Sequence, residues 1–410
     1  MTTDTAAVST SRTAWLAVGI VYGAALLQGL AMVSFPASST VLTGALGLSS
    51  AQYGAIFLPQ VALAIVGSVS GGTLANRLGL KALLLLALAA NAVSQGLLAA
   101  AAWVDPVWAF PAVMVGTASM GLAFGVGGAP LNSYPPLFFP DASDTAVVAL
   151  HSLLGAGLAL GPVLVAPFIA REAWIGFPLL LLALCVLVMA AGTLTGFPSD
   201  DSDDAAADAP RPVREGLFWA FVVAAVLYAF AEGTFSNWAV IYLHEARGVP
   251  QATAGIALSV FWAALVAGRL LTSALVLRVS SQAVWLVLPV LMVASFLLLP
   301  YADGATMGIG LFALAGLGCS AFFPLTITLI SRAYPEHVAW ASSMMIAALM
   351  LGVGAGSFVF GPLREAFSFE TIYRASALYP LVALAAAVVV VRSEPCRQTI
   401  RELWTGSRCQ

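Results

Sequence analysis

The sequence predicts an all-α membrane protein of twelve transmembrane helices in two pseudo-symmetric six-helix bundles. Three observations carry this. The 410 residues are 61% hydrophobic and only 9% charged, whereas a soluble domain carries about 25% charged residues. Twelve apolar stretches each reach the roughly 20 residues that a spanning helix needs. One strongly polar stretch divides these twelve into six and six.

The stretches run over about 13–34, 53–75, 82–103, 107–130, 145–170, 174–196, 216–243, 252–277, 283–300, 305–330, 338–362 and 371–391. The first follows the short polar start "MTTDTAAVSTSRTAWLAVG" and is longer than a signal-peptide core, so it reads as an uncleaved span. Trp15, Trp103, Trp108, Trp174, Trp219 and Tyr301 fall at span ends, where an interfacial aromatic belt lies. The polar stretch "GFPSDDSDDAAADAPRPVREG" (196–216) has five aspartates and three prolines. It has too few apolar residues to bury a core and is expected to be a disordered cytoplasmic linker. The expected organisation is therefore a six-helix bundle over 1–195, the linker over 196–216, a second bundle over 217–391 and a cytoplasmic tail over 392–410.

Orientation follows from positive charge. With the N-terminus inside, the inner side holds Arg12, Arg77, Lys81, Arg211, Arg214, Arg269, Arg278, Arg332, Arg392, Arg397, Arg401 and Arg408. The outer side holds only Arg171, Arg247, Arg364 and Arg374, four of the 16 Lys and Arg. The positive-inside rule places both termini in the cytoplasm, which implies a multi-pass protein of the inner (cytoplasmic) membrane. Each outer arginine has an acid close in sequence (Glu172, Glu245, Glu365, Glu370).

The halves echo each other. Pro140, "GAG" at 155–157 and "GP" at 161–162 in the first half correspond to Pro335, "GAG" at 354–356 and "GP" at 361–362 in the second, at offsets of 195, 199 and 200 residues. Small residues at helical spacing let backbones approach, and proline ends or kinks a span. Two similar six-span halves describe a transporter built from repeats.

At the loop after the second span, "GGTLANRLGLKALLL" resembles the major facilitator superfamily signature Gly-x-Leu-Ala-Asp-Arg-x-Gly-Arg-Lys. Gly72, Leu74, Ala75, Arg77, Gly79 and Lys81 match. Asn76 stands for the usual aspartate and Leu80 for the usual arginine. "GRLLTSALVLRVS" from Gly268 to Ser280 is a weaker echo in the second half. "LNSYPPLFFP", "AEGTFSNWAVIYL" and "GLGCSAFFPLTITLISRAYP" are most similar to the fucose-permease-like branch of sugar/proton symporters. The resemblance implies the major facilitator fold, alternating access, and gating at Asn76, Arg77 and Arg269. As residues alone, the two arginines have an alternative reading as topology charges that snorkel to the inner boundary. The branch's symporters carry carboxylates in spans one and four. Here span one has none, and Gly128 stands where the span-four acid is expected. "GAGLALGP" (155–162) fits the core of a span-five motif of proton-driven drug exporters, but Val165 and Ala166 replace the glycines that should follow.

Glu232 is the acid placed near the middle of a span. It lies about 24 Å along a helix that starts near Gly216, at 1.5 Å per residue, where a charge costs at least ~2.5–3.5 kcal/mol. A carboxyl so deep faces a cavity, pairs with a cation or is protonated. Arg269 lies roughly 10 Å away in depth by the same rise, which disfavours a direct pair. Glu232 is thus a candidate for handling a proton or a substrate group, against a neutral acid bonded between helices. Tyr228 shares its face, whereas Asn237 lies about 140° away on an ideal helix. Asn237 reaches the same cavity if the helix loosens near Gly233-Thr234, and otherwise bonds a neighbouring helix. Trp238 and Trp262 offer stacking surfaces, or pack. Gln28, Gln60 and Asn132 are polar cavity candidates in the first half. His151 titrates near neutral pH and is a second proton-handling candidate, against a satisfied core histidine.

No Gly-Lys-Ser/Thr phosphate cradle, metal-ligand cluster or recognisable Ser/His/Asp set is present, so no enzyme, cofactor or metal is expected. Cys185, Cys319, Cys396 and Cys409 have no zinc or disulfide spacing. A net charge of −3 offers nothing to nucleic acid. The expected function is secondary active, proton-coupled transport of a small polar organic solute, a sugar or related metabolite, by a monomer in the lipid bilayer. The alternatives are a proton-driven exporter of amphipathic drugs or metabolites, and a non-transporting sensor that keeps the fold.

Overall fold

The computed structural model describes residues 4–198 and 212–393. The expected linker and tail therefore lie mostly outside the described residues, as do Cys396 and Cys409. Among the described residues, twelve helices are long and apolar enough to span a membrane: α1 (Ala14–Ala37), α2 (Ser50–Gly71), α3 (Leu80–Ala100), α4 (Pro106–Phe138), α5 (Thr145–Ala170), α6 (Gly176–Leu194), α7 (Gly216–Ala246), α8 (Gln251–Leu275), α9 (Ser281–Tyr301), α10 (Gly304–Ala333), α11 (Trp340–Ala366) and α12 (Phe369–Arg392). Each overlaps one expected stretch. The main differences are that α4, α7 and α10 are longer than expected, and α2 continues as helix to Leu78. Helices are the natural solution for such stretches, because every backbone N–H and C=O must find its partner inside the chain when no water is present.

The helix pairing repeats after six spans. In the first half α1 packs on α5, α2 on α4, and α3 on α4 and α6. In the second, α7 packs on α11, α8 on α10, and α9 on α10 and α12. The halves meet along α2 against α11 and α5 against α8. The two "GAG" motifs explain this geometry. Their second glycines serve their own halves: a Cβ on Gly157 would strike Leu26 of α1, and one on Gly356 would lie 2.5 Å from the Phe230 carbonyl of α7. Their first glycines serve the contact between halves, where Gly155 faces Val266 of α8 and Gly354 faces Val61 of α2. The same tripeptide thus does the same two jobs in each half.

We call the side on which α1 begins the near face and the opposite side the far face. The far face is sealed. The first turn of α2 opens with a capping box between Ser49 and Gln52 and lies against the end of α11, where a Cβ on Gly54 would come 2.9 Å from Ser357 O. Glu365 of α11 accepts the Ala51 N–H at 3.3 Å. Tyr53 donates its hydroxyl to the Asn237 carbonyl of α7 at 2.7 Å, and its ring meets Trp238 edge-on at 5.0 Å. Gln251 of α8 bonds Thr40. Two of the four far-face arginines find acids on other spans rather than beside them in sequence: Arg247 pairs with Glu370 at 3.4 Å and Arg364 with Glu245 at 4.0 Å.

The close approach at Gly356 is testable against Gly128, around which a Cβ would find nothing within 4 Å. Gly356→Ala must displace the α7 backbone and is expected to cost about 1–3 kcal/mol, read as a lowered Tm of the purified protein. Gly128→Ala should melt with the wild type.

Candidate functional site

Between the halves lies a cavity of about 650 Å³, including its open mouth, lined from α1, α2, α4, α5, α7, α8 and α11. Its polar groups are Gln60, Glu232, Ser236, Asn237 and Trp262. The rest of the wall is largely apolar, with Met32, Met120 and Met350 among the lining residues. Methionine's flexible thioether adapts to irregular shapes. Within the cavity wall, the buried Gln60 Oε1 and Trp262 Nε1 have no protein partner. Two buried groups of opposite hydrogen-bonding sense are therefore left without a partner in the cavity wall. Ser236, four residues beyond Glu232, shares its helix face by spacing alone, whereas the apolar wall carries no signal that singles it out in the sequence.

Glu232 touches the hydroxyl of Tyr228, one turn earlier on α7. That hydroxyl also donates to the Cys319 carbonyl at 2.9 Å. The carbonyl is available because α10 is interrupted: helix runs over Gly304–Cys319 and resumes over Phe322–Ala333. The cause is local. Ser320 O would look for a donor four residues on, but Pro324 has no N–H. Arg269 of α8 supplies it instead, donating Nε to Ser320 O at 3.1 Å. The broken span is thus held by Tyr228 and Arg269, from α7 and α8. Arg269 makes no ion pair with Glu232 but is close enough to act on it electrostatically.

Asn237 reaches the cavity without the loosening considered from the sequence. α7 stays α-helical through Ile241 and turns to a π-helix only over Tyr242–Ala246. Asn237 lies on the cavity wall and also bonds a neighbouring helix, donating Nδ2 to Ser357 Oγ at 2.6 Å. Trp238 is fully buried in the far-face seal, with its Nε1 on Ser357 O at 3.1 Å and its ring stacked on Phe360. Gln28 is buried between α1 and α3, accepting from Asn91 Nδ2 at 2.9 Å, and is not among the cavity-lining residues. Asn132 and His151 bond each other at 3.0 Å and are exposed. Asn76 and Arg77 are exposed at the near-face end of α2. Lys81 bonds the Thr193 and Thr195 carbonyls at the end of α6, at 3.0 and 2.8 Å.

The sequence profile described as Major Facilitator Superfamily matches residues 20–309 and 222–406. The chain belongs to that superfamily. Its solved structural relatives share the facilitator fold. The nucleoside transporter NupG aligns with a TM-score of 0.77 over 92% of this chain and 99% of NupG, at 16% identity. The D-xylose–proton symporter aligns with 0.71 over 92% and 97%, at 15% identity. The fucose:proton symporter of E. coli aligns with 0.58 over 93% and 98%, at 18% identity. A curated relative, the uncharacterized transporter y4wD of Sinorhizobium fredii, is 29% identical over 188 residues. That match covers 45% of this facilitator and 47% of the relative, so the chain matches about half of that protein's length.

The Tyr228 hydroxyl joins the acid to the break in α10. Tyr228→Phe removes both contacts and leaves a carbonyl of α10 unpaired, a loss expected to cost about 1–3 kcal/mol. A lowered Tm in the purified variant checks this; an unchanged Tm would mean that the contacts carry no stability.

Proposed function

We propose that this facilitator is a proton-coupled secondary transporter of a small organic solute, working by alternating access between its halves. The observation that carries the reading is a carboxyl, Glu232, set in the wall of a cavity between two six-helix halves whose far face is closed. A site that faces one side at a time is what gradient-driven transport requires. A mid-span acid beside such a cavity is a functional group by default. The fucose and xylose symporters and the nucleoside transporter among the chain's structural relatives support a polar metabolite as solute. The apolar lining favours a second reading, an amphipathic solute, carried in either direction.

The near face is assigned to the cytoplasm and the membrane to the inner membrane, because eight of the twelve Lys and Arg among the described residues fall on that side. Two positions in described loops test it. Val279, between α8 and α9, and Asp303, between α9 and α10, are both exposed. In intact cells an impermeant thiol reagent is expected to label Asp303→Cys and to spare Val279→Cys; the reverse pattern inverts the orientation.

Glu232→Gln keeps size and hydrogen bonding but cannot ionise. In proteoliposomes it is expected to lose gradient-driven accumulation while retaining solute exchange. Accumulation equal to wild type at every pH refutes Glu232 as the proton carrier and moves coupling to His151 or to the solute. Binding with no movement in the wild type would identify a sensor. Asn76, Arg77 and Arg269 are assigned to gating by their positions in the family's loop motif, which Arg77 matches, Arg269 echoes and Asn76 departs from. Arg77→Ala in the same vesicles, slow in exchange but normal in solute binding, reads that role.

A further inference from the structure

We infer that the solute is an organic anion with an apolar body, and that Arg269 binds its carboxylate at the near-face mouth of the cavity. The inference rests on the transporter reading above and names its substrate class.

Helix geometry places the mouth. Leu158, Trp262 and Gly121 line the cavity. His151 and Arg269 lie seven residues from Leu158 and Trp262, and Asn132 lies eleven from Gly121. At 3.6 residues per turn, these are two turns and three turns with about 20° of rotation. All three polar residues therefore continue the cavity-facing stripes of α5, α8 and α4 toward the near face, about 10 Å beyond the lining residues in α5 and α8. All three are exposed.

Arg269 does not behave as a boundary charge reaching for headgroups. Its Nε is turned inward to Ser320 O of α10, and it acts electrostatically on Glu232 of α7 and His151 of α5. Its two terminal nitrogens keep four N–H donors with no protein partner, and no carboxylate lies within 4.0 Å among the described residues. A guanidinium held by one edge presents the other as a planar fork, which matches a carboxylate. The apolar wall beyond it, with Val33, Met120, Phe124 and Leu158, accepts the hydrocarbon part.

Charge counting links the anion to the proton. With Glu232 ionised, the Glu232–Arg269 couple is neutral; with Glu232 protonated, it carries one positive charge. An anion therefore binds better beside the protonated acid, so proton and anion enter together. The other ionisable groups facing the couple are Tyr228 on α7, Cys319 on α10 and His151 on α5. The cavity-lining stretches of α2, α4 and α11 contribute none.

The test uses the purified full chain at pH 8, where histidine is ordinarily neutral. The probes are benzoate and hexanoate beside their uncharged amides, with affinity read from ligand-induced Tm shifts. The acids are expected to bind and the amides to bind at least tenfold more weakly. R269Q should lose at least tenfold in affinity for the acids, and E232Q should bind them more tightly than wild type. If R269Q fails to fold, R269K, which keeps the charge but not the fork, should show a smaller loss for the acids and none for the amides. Amides that bind as well as acids, an absence of carboxylate binding, or a folded arginine variant with wild-type affinity each overturn the inference. Carboxylate binding without gradient-driven uptake would instead sink the transporter reading and leave the anion site standing. Proton-driven uptake of an uncharged solute, with no carboxylate bound, would do the opposite.

Discussion

Pro324 cannot donate a backbone hydrogen bond, and within a bilayer a carbonyl left without a donor is expensive. The organisation of the second half around the cavity follows from how that deficit is met. The interruption of α10 at Ser320 and Ala321 leaves carbonyls that Tyr228 and Arg269 take up. This ties α7 and α8 to α10 at one level. It also fixes two polar side chains: the tyrosine touches Glu232, and the arginine keeps its terminal nitrogens without an ion-pair partner among the described residues. A backbone defect, a buried acid and an unpaired cation are thus one assembly.

The contact between halves depends on a second constraint, the absence of side chains. Helices in lipid gain little from hydrophobic burial against each other and associate through close packing. The glycines of the two "GAG" motifs let α5 approach α1 and α8, and let α11 approach α7 and α2. At the far face, Gly54 and Gly361 bring the start of α2 against the end of α11. Tyr53 then locks the cavity-lining Asn237 to the seal through its backbone. A residue on the cavity wall therefore also carries part of the closed face, which places cavity lining and closure on the same turn of α7.

Much of this was legible before any coordinates. Apolar runs longer than a bilayer is thick have one stable form in lipid, so twelve spans, their approximate ends and the six-and-six division followed from composition and spacing. The facilitator signature around Arg77 and the repeat of "GAG" and "GP" pointed to the family, and Glu232 stood out because a mid-span carboxyl is costly wherever it points. These are properties of single segments, which the sequence by itself determined.

Tertiary structure alone decided where each polar side chain goes. Gln28 and Gln60 are indistinguishable as glutamines in apolar helices, yet one is held by Asn91 and the other stands at the cavity with an unpaired oxygen. Asn237 resolved its apparent choice by doing both, lining the cavity while its Nδ2 reaches Ser357 of α11. Trp238 went to the far-face seal and Trp262 to the cavity. Arg247 and Arg364 took acids from other spans over their neighbours in sequence. In lipid every face of a helix is offered an apolar environment. Hydropathy therefore places a residue at a depth but not on a face, and only the packing of one helix on another supplies the missing rotation.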